Sequence, residues 1–217
     1  AFEIYLKRAW VSNGIHHHYS GAKFVPEFSQ PWFEEAFGAL APETLPLKEG
    51  QSAAELLAMM NGYLFDPTVA PLHKNQAAGV DLLATSSSNY YQGVSQKEAE
   101  DFYNAMKDPQ DPEPIMFGMN SKLVKGEDGA LYEDTYKIGG LYSDAMEKIV
   151  YWLEKALTVT ETPEQHAALE KMIEFYRSGD LKDFDEYAKL WVKDTESLID
   201  YVCCYTESYG DPLGYKS

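Results

Sequence analysis

The sequence has no long apolar run, no disulfide framework and few basic residues relative to its acidic ones. Its two cysteines, Cys203 and Cys204, are adjacent, and a disulfide between neighbouring residues would strain the backbone. No apolar stretch approaches the roughly 18 residues that cross a bilayer, which excludes a transmembrane segment. No leader peptide is expected, because Lys7 and Arg8 follow no apolar stretch. These absences favour a cytoplasmic location, and both ends of the sequence are typical of an internal piece of a longer chain.

The charge is strongly one-sided. Lysine and arginine number 18 against 35 acidic residues, which gives a formal net charge of −17. Such a charge repels phosphate backbones and anionic lipids, so we expect neither a nucleic-acid nor a membrane partner. Two interpretations stay open: a solvated acidic surface that favours solubility, or a field that attracts cationic ligands such as the amino terminus of a peptide.

Known catalytic motifs are missing as well. The sequence contains no H-E-x-x-H or H-E-x-x-x-H, no G-x-S-x-G and no Walker phosphate loop. In the run His16-His17-His18, an extended backbone would place His16 and His18 on one face, but a catalytic zinc needs three protein ligands. A packed or hydrogen-bonded histidine cluster is favoured. We therefore assign no catalytic residue and no metal ligand in this chain.

Apolar spacing, helix caps and turn residues predict an α+β fold that is predominantly helical, with a few short strands. Predicted helices cover 2–12, 31–40, 53–61 (capped by Ser52 and ended by Gly62), 96–107 (capped by Ser95 with Glu98), 143–158, 162–178 and about 181–205. A strand is predicted at 80–85 and a hairpin near 120–138. The predicted parts are 1–107 (mixed helix and loop), 108–118 (linker), 119–140 (hairpin) and 141–217 (helical).

An acidic stretch at 194–201 is the candidate binding feature. On a continuous helix, Glu196 and Asp200 would be neighbours, and Glu207 would lie on the same side. Carboxylates on one face repel each other unless a cation sits between them. The face is either solvated or an anionic site for the ammonium group of a substrate.

Several segments resemble dipeptidyl peptidase III, in the same order along the chain. They are NGIHHHYS (13–20), SSNYYQG and the helix after it (87–107), NSKLVKGEDGALYEDTYKIGG (120–140), YWLEKAL (151–157), FYRSGDLKDFDEYAKLWVKD (175–194) and TESYGDPLG (206–214). The HHHYS form resembles bacterial members more than animal ones.

The resemblance implies a metallo-exopeptidase that removes dipeptides from peptide amino termini with a zinc cofactor. Members of the family resemble a two-lobed clamp, and this chain corresponds to part of the peptide-binding lobe. Its implied partners are the peptide substrate and the zinc-bearing lobe of the same enzyme. The zinc ligands would lie outside this chain, in an H-E-x-x-x-H motif and a later glutamate-rich helix, so the chain alone is expected to be inactive.

The resemblance also implies substrate-binding residues. Ile199 and Asp200 match the pair near the substrate's amino terminus, with aspartate in place of glutamate, and Asp200 would hold the terminal ammonium. Val202 stands where the family has a substrate-contacting tyrosine, and Cys203 and Cys204 replace an expected Asn-Gly. Two alternatives stay open: a stand-alone peptide-binding module without catalysis, and a relative that has lost its metal site.

Overall fold

The computed structural model describes residues 1–201 and 210–216. This part contains seven α-helices, one 3₁₀ turn at Pro42–Thr44 and one three-stranded sheet. The helices are α1 (Phe2–Val11), α2 (Gln30–Gly38), α3 (Ala53–Phe65), α4 (Gln96–Met106), α5 (Ser143–Leu157), α6 (Pro163–Ser178) and α7 (Leu181–Trp191). The strands are β1 (Tyr91–Gln92), β2 (Ser121–Lys125) and β3 (Leu131–Thr135). The predicted α+β class, mostly helical with a few short strands, is confirmed.

The chain forms two compact units, Ala1–Ser87 and Ser88–Ser217. The predicted linker at 108–118 lies within the second unit and consists of turns and irregular backbone. The division of the chain into functional parts at that linker stays a prediction. Within residues 1–201 and 210–216, every helix is too short or too polar to cross a bilayer.

An aromatic core holds the first unit together. Its buried residues are Tyr5, Phe28, Phe33, Phe37 and Leu56. The helix predicted to end at Gly62 instead continues to Phe65. A glycine inside a helix costs about 1 kcal/mol relative to alanine. The packing of Leu64 and Phe65 against the core accounts for the longer helix, because it offsets this cost.

The strand predicted at 80–85 is absent, and the segment forms turns. The Asp81 carboxylate accepts hydrogen bonds from the backbone N–H groups of Leu83 and Ala84, both at 2.9 Å. The Thr85 hydroxyl donates to the Asp81 carbonyl at 2.7 Å. An aspartate that bonds its own backbone in this way competes with extended pairing, so the apolar run does not become a strand.

The sheet of the second unit has the strand order β1-β2-β3. β2 and β3 are antiparallel, with Leu123 opposite Glu133, and β1 pairs with β2 in parallel. This confirms the predicted hairpin, whose turn begins at Gly126 with a hydrogen bond from its N–H to the Ala130 carbonyl at 2.8 Å. Ser95 and Glu98 form the predicted reciprocal capping box at the start of α4.

The helices α5, α6 and α7 pack around a second core that includes Ala168, Met172 and Tyr187. α6 matches the helix predicted at 162–178, with Thr162 capping its start and Gly179 ending it in a left-handed conformation. The prediction that the last helix reaches Tyr205 is wrong, because α7 ends at Trp191.

Side-chain hydrogen bonds explain why α7 stops. The Asp194 carboxylate accepts hydrogen bonds from the Ser197 hydroxyl at 2.9 Å and from the Thr162 hydroxyl at 3.1 Å. It also accepts the Ser197 backbone N–H at 3.4 Å. Bonds from a side chain to nearby backbone compete with the helical ladder. Residues 192–201 are therefore non-helical and are called here the 192–201 segment.

Candidate functional site

A cavity of about 470 Å³ opens on the second unit, between α5, α6 and the 192–201 segment. Helix periodicity creates its walls. Ile149 and Leu153 stand four residues apart on α5, and Leu169 and Met172 stand three apart on α6, so each pair shares a helix face. The 192–201 segment supplies Ile199 and, at its end, Tyr201. The result is a largely apolar recess that is open to solvent.

Two polar side chains line the same cavity. Gln165 lies in the first turn of α6 and is only 7% exposed. Its Oε1 accepts the Glu161 backbone N–H at 2.8 Å, and its Nε2 donates to the Ile199 carbonyl at 2.9 Å. Glu161 precedes α6, and its carboxylate accepts the Leu198 backbone N–H. These bonds attach the 192–201 segment to the start of α6.

Of the predicted site residues, the structure describes Ile199 and Asp200, and only Ile199 lines the cavity. Ile199 lines the cavity, although 70% of the residue remains exposed. Asp200 is exposed and is not among the lining residues. Its carboxylate accepts the Trp191 indole N–H at 2.9 Å and the Tyr201 backbone N–H at 2.7 Å. The third predicted residue, Val202, lies outside the described residues.

The helical face expected to gather the carboxylates does not exist as predicted. Glu196 and Asp200 belong to the non-helical 192–201 segment, so they are not one helical turn apart. Glu207 and the two cysteines lie outside the described residues. Among the described residues, the carboxylate that lines the cavity is Glu161, which was not predicted from the sequence. The sequence feature that could have identified Glu161 is its position between the amphipathic helices α5 and α6, whose apolar faces converge.

In the histidine run of the first unit, one ring is buried and hydrogen-bonded, and the other two are exposed. His16 is buried, and its Nε2 lies 2.8 Å from the Ala70 carbonyl oxygen. Burial lowers the pKa of this imidazole. The Nδ1 of His17 accepts the backbone N–H groups of Tyr19 and Ser20 at 3.3 and 3.2 Å. In the described part of the chain, no three histidine, cysteine or acidic side chains are grouped to hold a metal ion.

A second polar cluster, not identified from the sequence, centres on Lys216. Its side chain is fully buried, and its Nζ lies 3.0 Å from the Ser121 hydroxyl and 3.7 Å from the Glu133 carboxylate. It also donates to the Tyr103 hydroxyl. Burial is the main cause that lowers the pKa of Lys216 to about 8, although Glu133 and Asp211 oppose it.

Asp211 completes this cluster at the turn Gly210–Lys216. Its Oδ2 accepts the Tyr91 hydroxyl at 2.9 Å and the Lys216 backbone N–H at 2.8 Å. Burial raises the pKa of Tyr91, and so do the charge and the hydrogen bond of Asp211. The Lys216 cluster therefore attaches the turn to all three strands and to α4.

Comparison with known proteins matches residues 120–217 to the sequence profile of peptidase family M49. Dipeptidyl peptidase 3 of Homo sapiens is 28% identical over 77 residues, which is 36% of this chain and 10% of that protein. Dipeptidyl peptidase 3 of Dictyostelium discoideum is 30% identical over 86 residues, which is 38% of this chain and 12% of that protein.

A solved structure, dipeptidyl-peptidase III from Corallococcus sp. strain EGB, aligns with 88% of this chain and 30% of its own, at 17% identity and a TM-score of 0.37. The matched regions thus span about a tenth of the curated relatives and less than a third of the solved chain. The profile match and the curated relatives agree on one family. Residues 120–217 are thus similar to peptidase family M49, and the curated relatives that match this chain are dipeptidyl peptidases 3.

Proposed function

We propose that this chain contributes peptide binding to a dipeptidyl peptidase III of bacterial type, an enzyme that removes dipeptides from peptide amino termini. The relationship to peptidase family M49 supports a peptide as the ligand. The observation that carries the proposal is the position of Ile199, which borders the apolar cavity beside the exposed Asp200. An apolar wall next to a carboxylate suits an amino-terminal residue, which offers a side chain and a cation together.

The peptide backbone has a candidate partner in the sheet. Among the described residues, β3 lies at one edge of the strand order, and we propose that an extended peptide adds to its outer side before Thr135, whose carbonyl accepts the Leu141 N–H. Main-chain hydrogen bonds of that kind give affinity without sequence preference, whereas pockets for side chains give specificity. In this proposal, Ile199, Asp200 and Val202 contact the amino-terminal residues, and the remaining zinc-bearing lobe is the partner that closes on the peptide.

Zinc belongs to the proposed whole enzyme and not to these residues. When bound there, zinc would activate the water that attacks the peptide bond. We predict that the isolated chain neither binds zinc tightly nor hydrolyses dipeptidyl-naphthylamides, because it offers no H-E-x-x-x-H motif. Equilibrium dialysis against zinc and a fluorescent release assay measure the two properties. Turnover by the metal-free chain would contradict the prediction. A cytoplasmic location also stays a prediction from the sequence.

Binding can be tested on this chain by calorimetric titration with an unblocked tetrapeptide that begins with phenylalanine. Ile199→Asp should weaken binding by about tenfold or more, because it places a charge in an apolar wall. Leu198→Asp is the matched control, since Leu198 is 93% exposed and does not line the cavity. Equal losses in both variants, or no saturable binding by the unmodified chain, would refute the proposed function.

A further inference from the structure

Two irregular segments of the first unit, 15–24 and 66–73, lie against each other. Their backbones are joined by a hydrogen bond from the His73 N–H to the Gly21 carbonyl at 2.8 Å. His16, the buried member of the histidine run, also contacts the 66–73 segment through its side chain. This contact belongs to a different unit from the proposed peptide site, so peptide binding does not account for it.

The 66–73 segment contains a strained backbone conformation that side chains from the 15–24 segment hold in place. Ala70 has φ of 47°, in the left-handed region that residues other than glycine seldom adopt. Its carbonyl oxygen lies 2.8 Å from the His16 Nε2, and the Lys23 Nζ donates to the preceding carbonyl, that of Val69, at 2.7 Å. Such a conformation persists only where its surroundings enforce it, so the strained residue depends on these two side chains.

The bond to Ala70 requires one protonation state of the His16 ring. A carbonyl oxygen only accepts hydrogen bonds, so the Nε2 carries the proton and the Nδ1 of the neutral imidazole carries none. A second proton would place a charge on a side chain that is almost completely enclosed. Burial disfavours that charge and lowers the pKa of His16 from its ordinary 6.5, although the bond to Ala70 opposes the shift.

The charged groups that face His16 also oppose its protonation. They are His73, whose ring centroid lies 5.9 Å from that of His16, and Lys23, which pairs with His16 across an isolated bridge. The acidic group of the two segments is Asp66, and its Oδ1 accepts the backbone N–H and the hydroxyl of Thr68 instead. A positive charge on His16 therefore meets two groups that are cationic when protonated.

We propose that His16 is a pH switch, whose neutral imidazole holds the 66–73 segment closed and whose protonation releases that segment. Opening exposes the ring to water, where a second proton is tolerated. The open state therefore binds more protons than the closed state, so closure is most stable above about pH 6.5 and weakens as the pH falls below it. One proton increases the opening equilibrium by at most about tenfold per pH unit. The switch does not rest on the proposed function.

Hydrogen exchange of the full chain, read by mass spectrometry at about pH 7.5 and about pH 5.5 and corrected for the intrinsic rate at each pH, tests the switch. In the unmodified chain, amides of 15–24 and 66–73 should lose protection several-fold at the lower pH, whereas the β2–β3 hairpin should not. His16→Gln should keep both segments protected at both pH values, because the amide can donate to the Ala70 carbonyl but does not titrate. His18→Gln is the matched control, since His18 is exposed and should leave the response unchanged.

Two results of the exchange experiment contradict the switch. One is equal protection of both segments at the two pH values in the unmodified chain. The other is a response that persists in His16→Gln, because His73 or another group would then cause it. If His16→Gln leaves the segments open at both pH values, an NMR titration of the unmodified chain decides. The His16 ring protons and the Ala70 amide should share one midpoint below pH 6.5, and separate midpoints would overturn the proposal.

Discussion

Gln165 is the residue on which the geometry of the cavity depends most. Glutamine is seldom buried without partners, and this one uses both ends of its amide within 3 Å of backbone groups. One end restrains Glu161 and the other restrains Ile199. The acidic and apolar parts of the cavity are therefore positioned by the uncharged side chain of Gln165, which lies outside the segments that resemble dipeptidyl peptidase III.

Gln165→Leu should lower the free energy of unfolding by about 1 to 3 kcal/mol, since it leaves the Glu161 N–H and the Ile199 carbonyl without this partner. Urea titration followed by circular dichroism measures the loss. The matched control is Gln30→Leu, because Gln30 is exposed in the first turn of α2 and bonds only the Glu34 side chain among its described contacts. That variant should change stability by no more than about 0.5 kcal/mol, and equal losses would contradict the role of Gln165.

Secondary-structure elements with a local chemical signal were predictable, and those decided by distant contacts were not. The capping box of Ser95 with Glu98 and the glycine-bounded hairpin turn act within a few residues, so the sequence predicts α4 and the hairpin. The end of α7 combines the local bonds between Asp194 and Ser197 with a bond from Thr162, which is 32 positions from Asp194. No periodicity reports such a contact.

Residues of the candidate site also divide into those that the sequence predicts and those that depend on distant contacts. The resemblance to dipeptidyl peptidase III predicts a role for Ile199, and the structure places Ile199 at the cavity. The resemblance predicts no role for Glu161, because that residue lines the cavity only through the packing of α5 against α6. The position of Asp200 beside Trp191 also depends on α7 ending early, which the sequence analysis did not predict.

The end of α6 allows a test at the scale of a single element. Gly179 has φ of 71°, and a Cβ there would lie 2.7 Å from the Thr135 methyl carbon and 2.9 Å from the Lys137 Cδ. Gly179→Ala should therefore cost more than the roughly 1 to 2 kcal/mol of a left-handed alanine. Gly50→Ala is the control, because Gly50 has φ of 76° but no atom within 4 Å of its Cβ position.

Thermal or urea unfolding of the two glycine variants gives the comparison. The difference between them reports the crowding at the α6–β3 contact, since both lose the same backbone freedom. If Gly50→Ala proves as destabilising as Gly179→Ala, the close approach of α6 to β3 is not as described.

At the scale of the whole molecule, charge is the dominant property. The net charge of −17 favours repulsion between acidic groups at neutral pH, which exposed ion pairs such as Lys125–Glu98 offset in part. The Lys216 cluster differs from the exposed ion pairs, because its cation lies buried among the acidic and phenolic groups Glu133, Asp211, Tyr103 and Tyr91. Burial holds the pKa of Lys216 near 8, below the 10.5 of an unperturbed lysine.

This shift predicts an unusual dependence of stability on pH. Between pH 8 and 10 the unfolded chain binds more protons at Lys216 than the folded chain does, so the free energy of unfolding should rise by about 2 kcal/mol. Above about pH 10 the trend reverses, because burial raises the pKa values of Tyr91 and Tyr103 and unfolding then releases their protons.

Urea titrations across this pH range measure the effect. Lys216→Met keeps most of the side-chain volume, removes the titrating amine and should abolish the rise between pH 8 and 10. Lys182→Met, a substitution of an exposed lysine on α7, should preserve it. If the free energy of unfolding still rises between pH 8 and 10 in Lys216→Met, another titrating group causes the rise.

The Lys216 cluster also has a consequence for biosynthesis. Its contacts join residues 95 and 113 positions apart in the chain. Closing such long loops costs chain entropy that local contacts do not repay. A nascent chain emerging from the ribosome can form the hairpin and α4 early, but Ser121 and Glu133 gain their cationic partner only once residue 216 has been translated. The hydrogen bonds of the Lys216 cluster therefore form only after the elements they join have been translated.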